Sequence, residues 1–151
     1  ERGGVARLHD GTIVVARTRG GTAEQVADAF GATADNPVEE AMGGGALLLE
    51  AGDAVTDGDL RDRQNFKQGD GGIQAAQMYK TKHSLMGIRD GVAYHLWAAN
   101  KSGAELQEEL RAAGFSAVVM FDGGNAGYYD DGETTSSGRS PALLGLGLTV
   151  R

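Results

Sequence analysis

AVVMFDGGNAGYYDD, residues 117–131, is the stretch from which the rest of the chain is read. Val118 to Phe121 form an unbroken apolar run of β-branched, flexible and aromatic side chains, the pattern of a buried strand. The run ends on one carboxylate, Asp122, and two glycines follow. A strand held in a core can present a charged group at its exit, where scaffold meets loop. Gly123 and Gly124 carry no Cβ, so the backbone there can take a positive φ and approach a ligand closely. Two readings stay open on these residues alone. Asp122 serves a ligand, or it accepts backbone N–H bonds and closes its own Asp-Gly turn.

Toward the N-terminus, Ser102 and Glu105 have capping-box spacing. They predict a helix to about Ala113, with Leu106, Leu110 and Ala113 as its buried stripe and Gly114 as its stop. Ser84–Arg89 and Val92–Ala98 read as the strands of a hairpin across Asp90-Gly91. Val92, Tyr94 and Leu96 share one face of the second strand, His95 and Trp97 the other. His95 reads as a core or half-buried histidine without a role. From Asp53 to Gln77 the chain is polar, glycine-broken and aperiodic, the signature of a long functional loop. Asn36-Pro37, with Glu39 in the first turn, predicts a brief helical start before Gly43-Gly44-Gly45 and the strand Ala46–Leu49. Thr22 and Gln25 predict a capped helix to Phe30, stopped by Gly31. Val5–His9 and Thr12–Thr18 form a hairpin across Asp10-Gly11. Leu143–Val150 reads as a last strand. Hairpin-paired strands with interspersed helices imply α+β, a mixed and mainly antiparallel sheet with two or three short helices, in one domain over residues 1–151.

The 151 residues suffice for one domain with a real core. A formal charge of −7 argues against a nucleic-acid partner. No apolar stretch approaches the roughly 20 residues of a membrane helix. With no cysteine, disulfides and thiolate metal sites are excluded. The chain starts at Glu1 without an initiator Met or a signal peptide, so it is expected to be processed, trimmed or cut from something longer.

Several segments in order carry a resemblance. They are Gly43-Gly44-Gly45-Ala46-Leu47-Leu48, His83-Ser84-Leu85-Met86-Gly87-Ile88-Arg89-Asp90-Gly91, Ser102-Gly103-Ala104-Glu105-Leu106, Phe121-Asp122-Gly123-Gly124, and Arg139 near Pro141. Together they resemble the phosphodiester glycosidase domain family, most strongly over residues 40–150. The chain departs from the family pattern in three places. Asn125-Ala126-Gly127 follows Asp-Gly-Gly where the family continues with Gly and Ser. His83-Ser84, preceded by Lys82, stands where the family has Arg-Thr. The family's N-terminal part, with its Asn-Gly-Gly-Phe-type strand end, has no counterpart.

The resemblance implies hydrolysis of a sugar-1-phosphodiester of the N-acetylglucosamine-phosphate type, or of a related surface glycan. Such chemistry needs a carboxylate near the anomeric carbon and cations on the leaving phosphate. By position, Asp122 is the nucleophile or base, and His83 hydrogen-bonds the phosphate or donates a proton. Arg139 and Lys82 bind phosphate. Gly123 and Gly124 offer backbone N–H groups, and Asn125 joins the substrate-binding group. No metal or other cofactor is implied. The expected location is extracellular or at the cell surface. Beside these roles stand plainer ones: His83 as a structural histidine, Arg139 as an ion-paired one, Tyr128 and Tyr129 as cover for neighbouring core. Asp130, Asp131 and Glu133 read as a solvated acidic turn or an oxygen site for Ca²⁺. The alternative function is a non-catalytic surface, glycan-binding or self-assembling module. A truncated domain leaves a sheet edge uncovered, so a second copy is expected to complete it, as a homo-oligomer or filament.

Overall fold

Strands far apart in sequence are brought together by antiparallel pairing, and that pairing places the candidate residues on β5 and β7. The computed structural model of the chain describes residues 1–65, 80–123, 128–130 and 135–137. The elements are β1 (Arg2–Leu8), β2 (Ile13–Thr18), α1 (Ala23–Ala29), β3 (Val38–Glu50), β4 (Asp53–Ala54) and a π-helical turn (Asp59–Arg63). They continue with β5 (Thr81–Arg89), β6 (Val92–Lys101), α2 (Gly103–Ala112), β7 (Ala117–Gly123) and a ribbon of β8 (Tyr128–Asp130) with β9 (Thr135–Ser137). The main sheet runs β2-β1-β3-β7-β5-β6, with β4 added to β3. Each described strand pair is antiparallel. The class is α+β, as the hairpin signals imply.

Local chemistry explains the hairpins and helices. Asp90 and Gly91 take φ of 53° and 74°, the two left-handed positions of a tight turn whose twist matches the strands it joins. The Thr22 hydroxyl accepts from Gln25 N while the Gln25 side chain accepts from Thr22 N, and Ser102 and Glu105 do the same for α2.

Three expectations fail for tertiary reasons. Asn36-Pro37 starts no helix: β3 begins at Val38 and runs through Gly43-Gly44-Gly45 to Glu50. A ladder with β1 from Leu8↔Val38 to Gly3↔Gly45 supplies bonds that a short isolated helix lacks, and Arg7 pairs with Glu39 and Glu40 across it. The segment after Asp53 is not all loop, because the π-helical turn is anchored by Leu60 and Gln64, both buried; residues 66–79 lie outside the described residues. The stripe of α2 is Leu106, Gln107 and Leu110, whereas Ala113 is exposed. Phe115 is buried instead, and a Cβ at Gly87 would stand 2.7 Å from its ring. Only glycine lets that ring lie on β5.

The core is centred on Leu47, Leu48, Leu49, Leu85, Val118 and Val119, each with 0% exposure. Full burial of such side chains stabilises by about 1.5–3 kcal/mol each. Two glutamines sit among them, and each completes backbone bonding. Gln64 Nε2 donates to Leu47 O (3.1 Å) and its Oε1 accepts from Leu47 N (2.9 Å), so this side chain replaces a strand where β1 stops. Gln107 Nε2 donates to Leu48 O and Val55 O, tying α2 to β3 and the segment after β4. Buried polar groups are tolerated because these bonds satisfy them. Outside the core, Arg17 forks onto Glu50 and also reaches Asp59 at 2.8 Å, joining β2, the end of β3 and the π-helical turn.

Candidate functional site

One end of the central sheet gathers the C-terminal residues of β7, the N-terminal residues of β5 and the glycines of β3. His83 pairs with Gly123 across β5 and β7, and Ala46 pairs with Met120 across β3 and β7. β7 continues through Asp122 to Gly123, so Asp122 is the penultimate residue of the strand. The pairing also slips. Two steps on β5, from Leu85 to His83, match three on β7, from Met120 to Gly123. Phe121 and Asp122 thus both stand opposite Ser84, a β-bulge in the backbone at Asp122. Bulges re-aim side chains and gather beside functional sites. The sequence contains no signal for this one, since an extra residue is visible only once the partner strand is known.

Close backbone approach surrounds the bulge. A Cβ at Gly45 would lie 2.6 Å from Val119 Cγ2, 2.7 Å from Met120 O and 3.1 Å from the Phe121 ring. Gly3, across from Gly45, would meet Val119 Cγ2 at 2.7 Å. These glycines let β1, β3 and β7 pack where side chains would hold them apart.

His83 is fully buried. Its Nε2 lies 2.9 Å from Lys101 O. A carbonyl oxygen only accepts, so Nε2 carries the proton, and burial lowers the ring's pKa, outweighing the bond to Lys101. His83 is the neutral Nε2–H tautomer at pH 7. Its Nδ1 has no hydrogen-bond partner among the described residues. Lys82 is half-buried and, as the preceding strand residue, faces the other side of the sheet. The two residues expected to share one phosphate are separated by the pleat.

Gly124, Asn125 and Arg139 lie outside the described residues, as do Asp131, Glu133, Pro141 and the strand expected over Leu143–Val150. Tyr128, Tyr129 and Asp130 form β8, a strand paired with Ser137, Ser136 and Thr135, where the sequence suggested loop. No cluster of three His, Asp or Glu residues suited to a metal is present among the described residues. No helix among them is long and apolar enough to cross a membrane.

A polar pair that sequence reasoning passed over lies on the Lys82 side of the sheet. Ser84 Oγ and His95 Nε2 are 3.1 Å apart, across β5 and β6. His95 is exposed and Ser84 half-buried. Their alternation with core residues was legible, but the diagonal contact depends on the register Met86↔His95 and Ser84↔Trp97.

No family model matches the sequence, and no curated protein matches it. The fold defines a class all the same, an antiparallel α+β sheet with two capped helices. Among solved structures it is similar to the zebrafish N-acetylglucosamine-1-phosphodiester alpha-N-acetylglucosaminidase catalytic domain, auto-inhibited by its pro-peptide. The TM-score is 0.61 at 14% identity, covering 91% of this chain and 44% of that one. The chain thus spans less than half the length of that structure. At such identity the likeness is one of fold alone, and the resemblance read from motif order holds at that level.

Proposed function

We propose that this chain is a single glycoside-hydrolase-like domain directed at a sugar-1-phosphodiester. The observation that carries the reading is the register of β5 on β7, which sets Lys82–Ser84 alongside Phe121–Gly123 with a bulge at Asp122. Its support from outside the chain is the fold likeness to a catalytic domain with that activity in its name. In the proposed site Asp122 is the carboxylate that acts at the anomeric carbon, and Lys82 and Arg139 are the cations for the departing phosphate. The backbone of Gly123 and Gly124 and the Asn125 amide complete the cradle. His83 enters as a positioning residue that fixes β5 to the end of β6, because its Nε2 is already spent on Lys101 O. No cofactor is invoked, and the place of action is a secreted or cell-surface one.

The test is release of free sugar from an α-N-acetylglucosaminyl phosphodiester. Wild type is expected to turn over and Asp122→Asn to lose at least about 100-fold in kcat/KM. Equal turnover by the two removes Asp122 from the mechanism.

One observation favours a second reading. The position where the resembled family has arginine is occupied by a buried, neutral histidine, so one cation for the phosphate is replaced by core. A non-catalytic glycan-binding or self-assembling module follows from that. No turnover by wild type on several sugar phosphates, with binding to a glycan or a dimeric or larger mass in solution, selects it.

A further inference from the structure

We propose that His83 is a proton-sensitive clasp, which holds one end of the sheet closed while its ring is neutral and releases it when the ring is charged. The inference is independent of the hydrolase reading, because it concerns how β5, β6 and β7 are joined and is read out without substrate.

Both ladders that flank β5 slip at this residue. Toward β6, Thr81 pairs with Lys101 and His83 with Ala98, so two steps on β5 match three on β6. Toward β7, His83 pairs with Gly123 and Leu85 with Met120, the slip that makes the bulge at Asp122. Ala99 and Asn100 share the place opposite Lys82, and Asn100 takes a φ of 58°, in the left-handed region that residues with a Cβ seldom adopt. A bulge interrupts regular backbone bonding, and here one lies on each side of the same residue. The His83 side chain spans the one on β6: its Nε2–H donates to Lys101 O at 2.9 Å. Lys101 directly precedes Ser102, the cap of α2. One ring therefore ties β5 to the end of β6 and to the start of the helix.

A second proton has no place on this ring while the strands are closed. His83 is 0% exposed, and its Nδ1 has no hydrogen-bond partner among the described residues. Charging it buries an imidazolium and leaves a new Nδ1–H without an acceptor, two costs that water removes once the strands part. Burial accordingly lowers the ring's pKa, and the Lys101 carbonyl only partly opposes it. The open form takes up its proton near pH 6.5 and the closed form only at lower pH, so falling pH favours opening. The charged groups of the flanking elements are engaged elsewhere. Lys101 meets Glu109, and Glu105 meets Lys80 and the Ser102 N–H. Lys82 and His95 lie on the opposite face, His95 Nε2 at 3.1 Å from Ser84 Oγ. Asp122 stands next to Gly123 on β7, and its side chain lies outside what is described. The end that opens is the one where β7 carries Phe121–Gly123, so acid loosens the candidate site.

Backbone amide hydrogen exchange, followed by NMR on the full chain at pH 7.5 and pH 5.5 and divided by the intrinsic rate at each pH, reads the opening. Over that range the opening of Thr81–Leu85 and Ala98–Lys101 is expected to rise several-fold, up to about tenfold, the ceiling set by an open-state pKa of about 6.5. Amides of β1 and β2 should stay within about twofold. His83→Gln keeps a donor for Lys101 O and takes up no proton, so it should flatten the response. His9→Gln, His95→Gln and Asp122→Asn should retain it. If His83→Gln does not fold, the imidazole ¹⁵N signals of wild type decide: His83 should be the neutral Nε2–H form at pH 7.5 and charge only well below the ordinary value of about 6.5. Three results overturn the clasp. They are a folded-state His83 that charges at about pH 6.5 or above, an equal rise in exchange across all strands, and a response that survives His83→Gln or disappears with His95→Gln or Asp122→Asn.

Discussion

The two halves of β3 differ more than any two strands of the sheet. Ala46–Leu49 are fully buried, paired with β7 on one side and served by Gln64 on the other. Val38–Gly44 are exposed or half-buried and pair with β1. One strand thus changes from surface ladder to core at Gly45, one residue before its pairing with β7 begins. The lesson is that the neighbours, and not the strand's own residues, set its burial. Beside that junction β7 carries its bulge at Asp122, where a rigid core gives way to an open half-strand.

Truncation should separate the halves most strongly. Leu48→Ala is expected to cost about 3–5 kcal/mol in urea unfolding, while Met42→Ala costs no more than about 1.5. Similar losses at both sites would erase the distinction.

The glycine junction sharpens the comparison at single-atom scale. Gly45→Ala should destabilise by about 1–3 kcal/mol, because its Cβ meets Val119 and the Met120 carbonyl. Gly43→Ala, two residues away, meets nothing closer than Thr18 Oγ1 at 3.7 Å and should fall within about 0.5 kcal/mol of wild type. Thermal midpoints of the two variants read the difference directly.

A smaller effect is expected from His83, on the closed side of β5. Its folded pKa is lowered by burial, so the unfolded chain takes up a proton first as pH falls. Stability from this group is therefore complete above its unfolded pKa of about 6.5 and is lost as pH drops toward the folded value. Urea midpoints at pH 8 and pH 5.5 should fall more for wild type than for His83→Gln, which keeps a donor for Lys101 O. The smallest effect belongs to Glu105, at the open N-terminus of α2. The Lys80 ammonium and the Ser102 N–H hold its pKa at about 2, so its carboxyl should titrate by NMR well below the other glutamates. Its contribution is complete above the unfolded value of about 4.5 and is lost progressively as pH falls toward about 2, and a midpoint near 4.5 would dissolve the cap as described.

Much of this was legible because it is local. Capping boxes at Thr22 and Ser102 and the turn at Asp90-Gly91 need only residues three or fewer positions apart, and each formed as read. Asn36-Pro37 misled because its helix signal was also local, and β1 outbid it from thirty residues away. The candidate site was half legible. Asp122 and Lys82 stood out as charged groups beside apolar runs, but the burial of His83 and the contact of Ser84 with His95 turned on which strand face each occupies and what covers it.

What the sequence alone determined is the alphabet of the fold: which segments are strands, where they turn, which helices are capped, and that the chain is α+β. Those follow from backbone preference and periodicity, which act over one or two turns of chain. Tertiary structure alone decided the partner of each half of β3, the extra residue of β7 opposite Ser84, the burial of His83 and the contact of Ser84 with His95. Register between distant strands is a sum of many weak contacts, and one residue of slip re-aims every side chain beyond it.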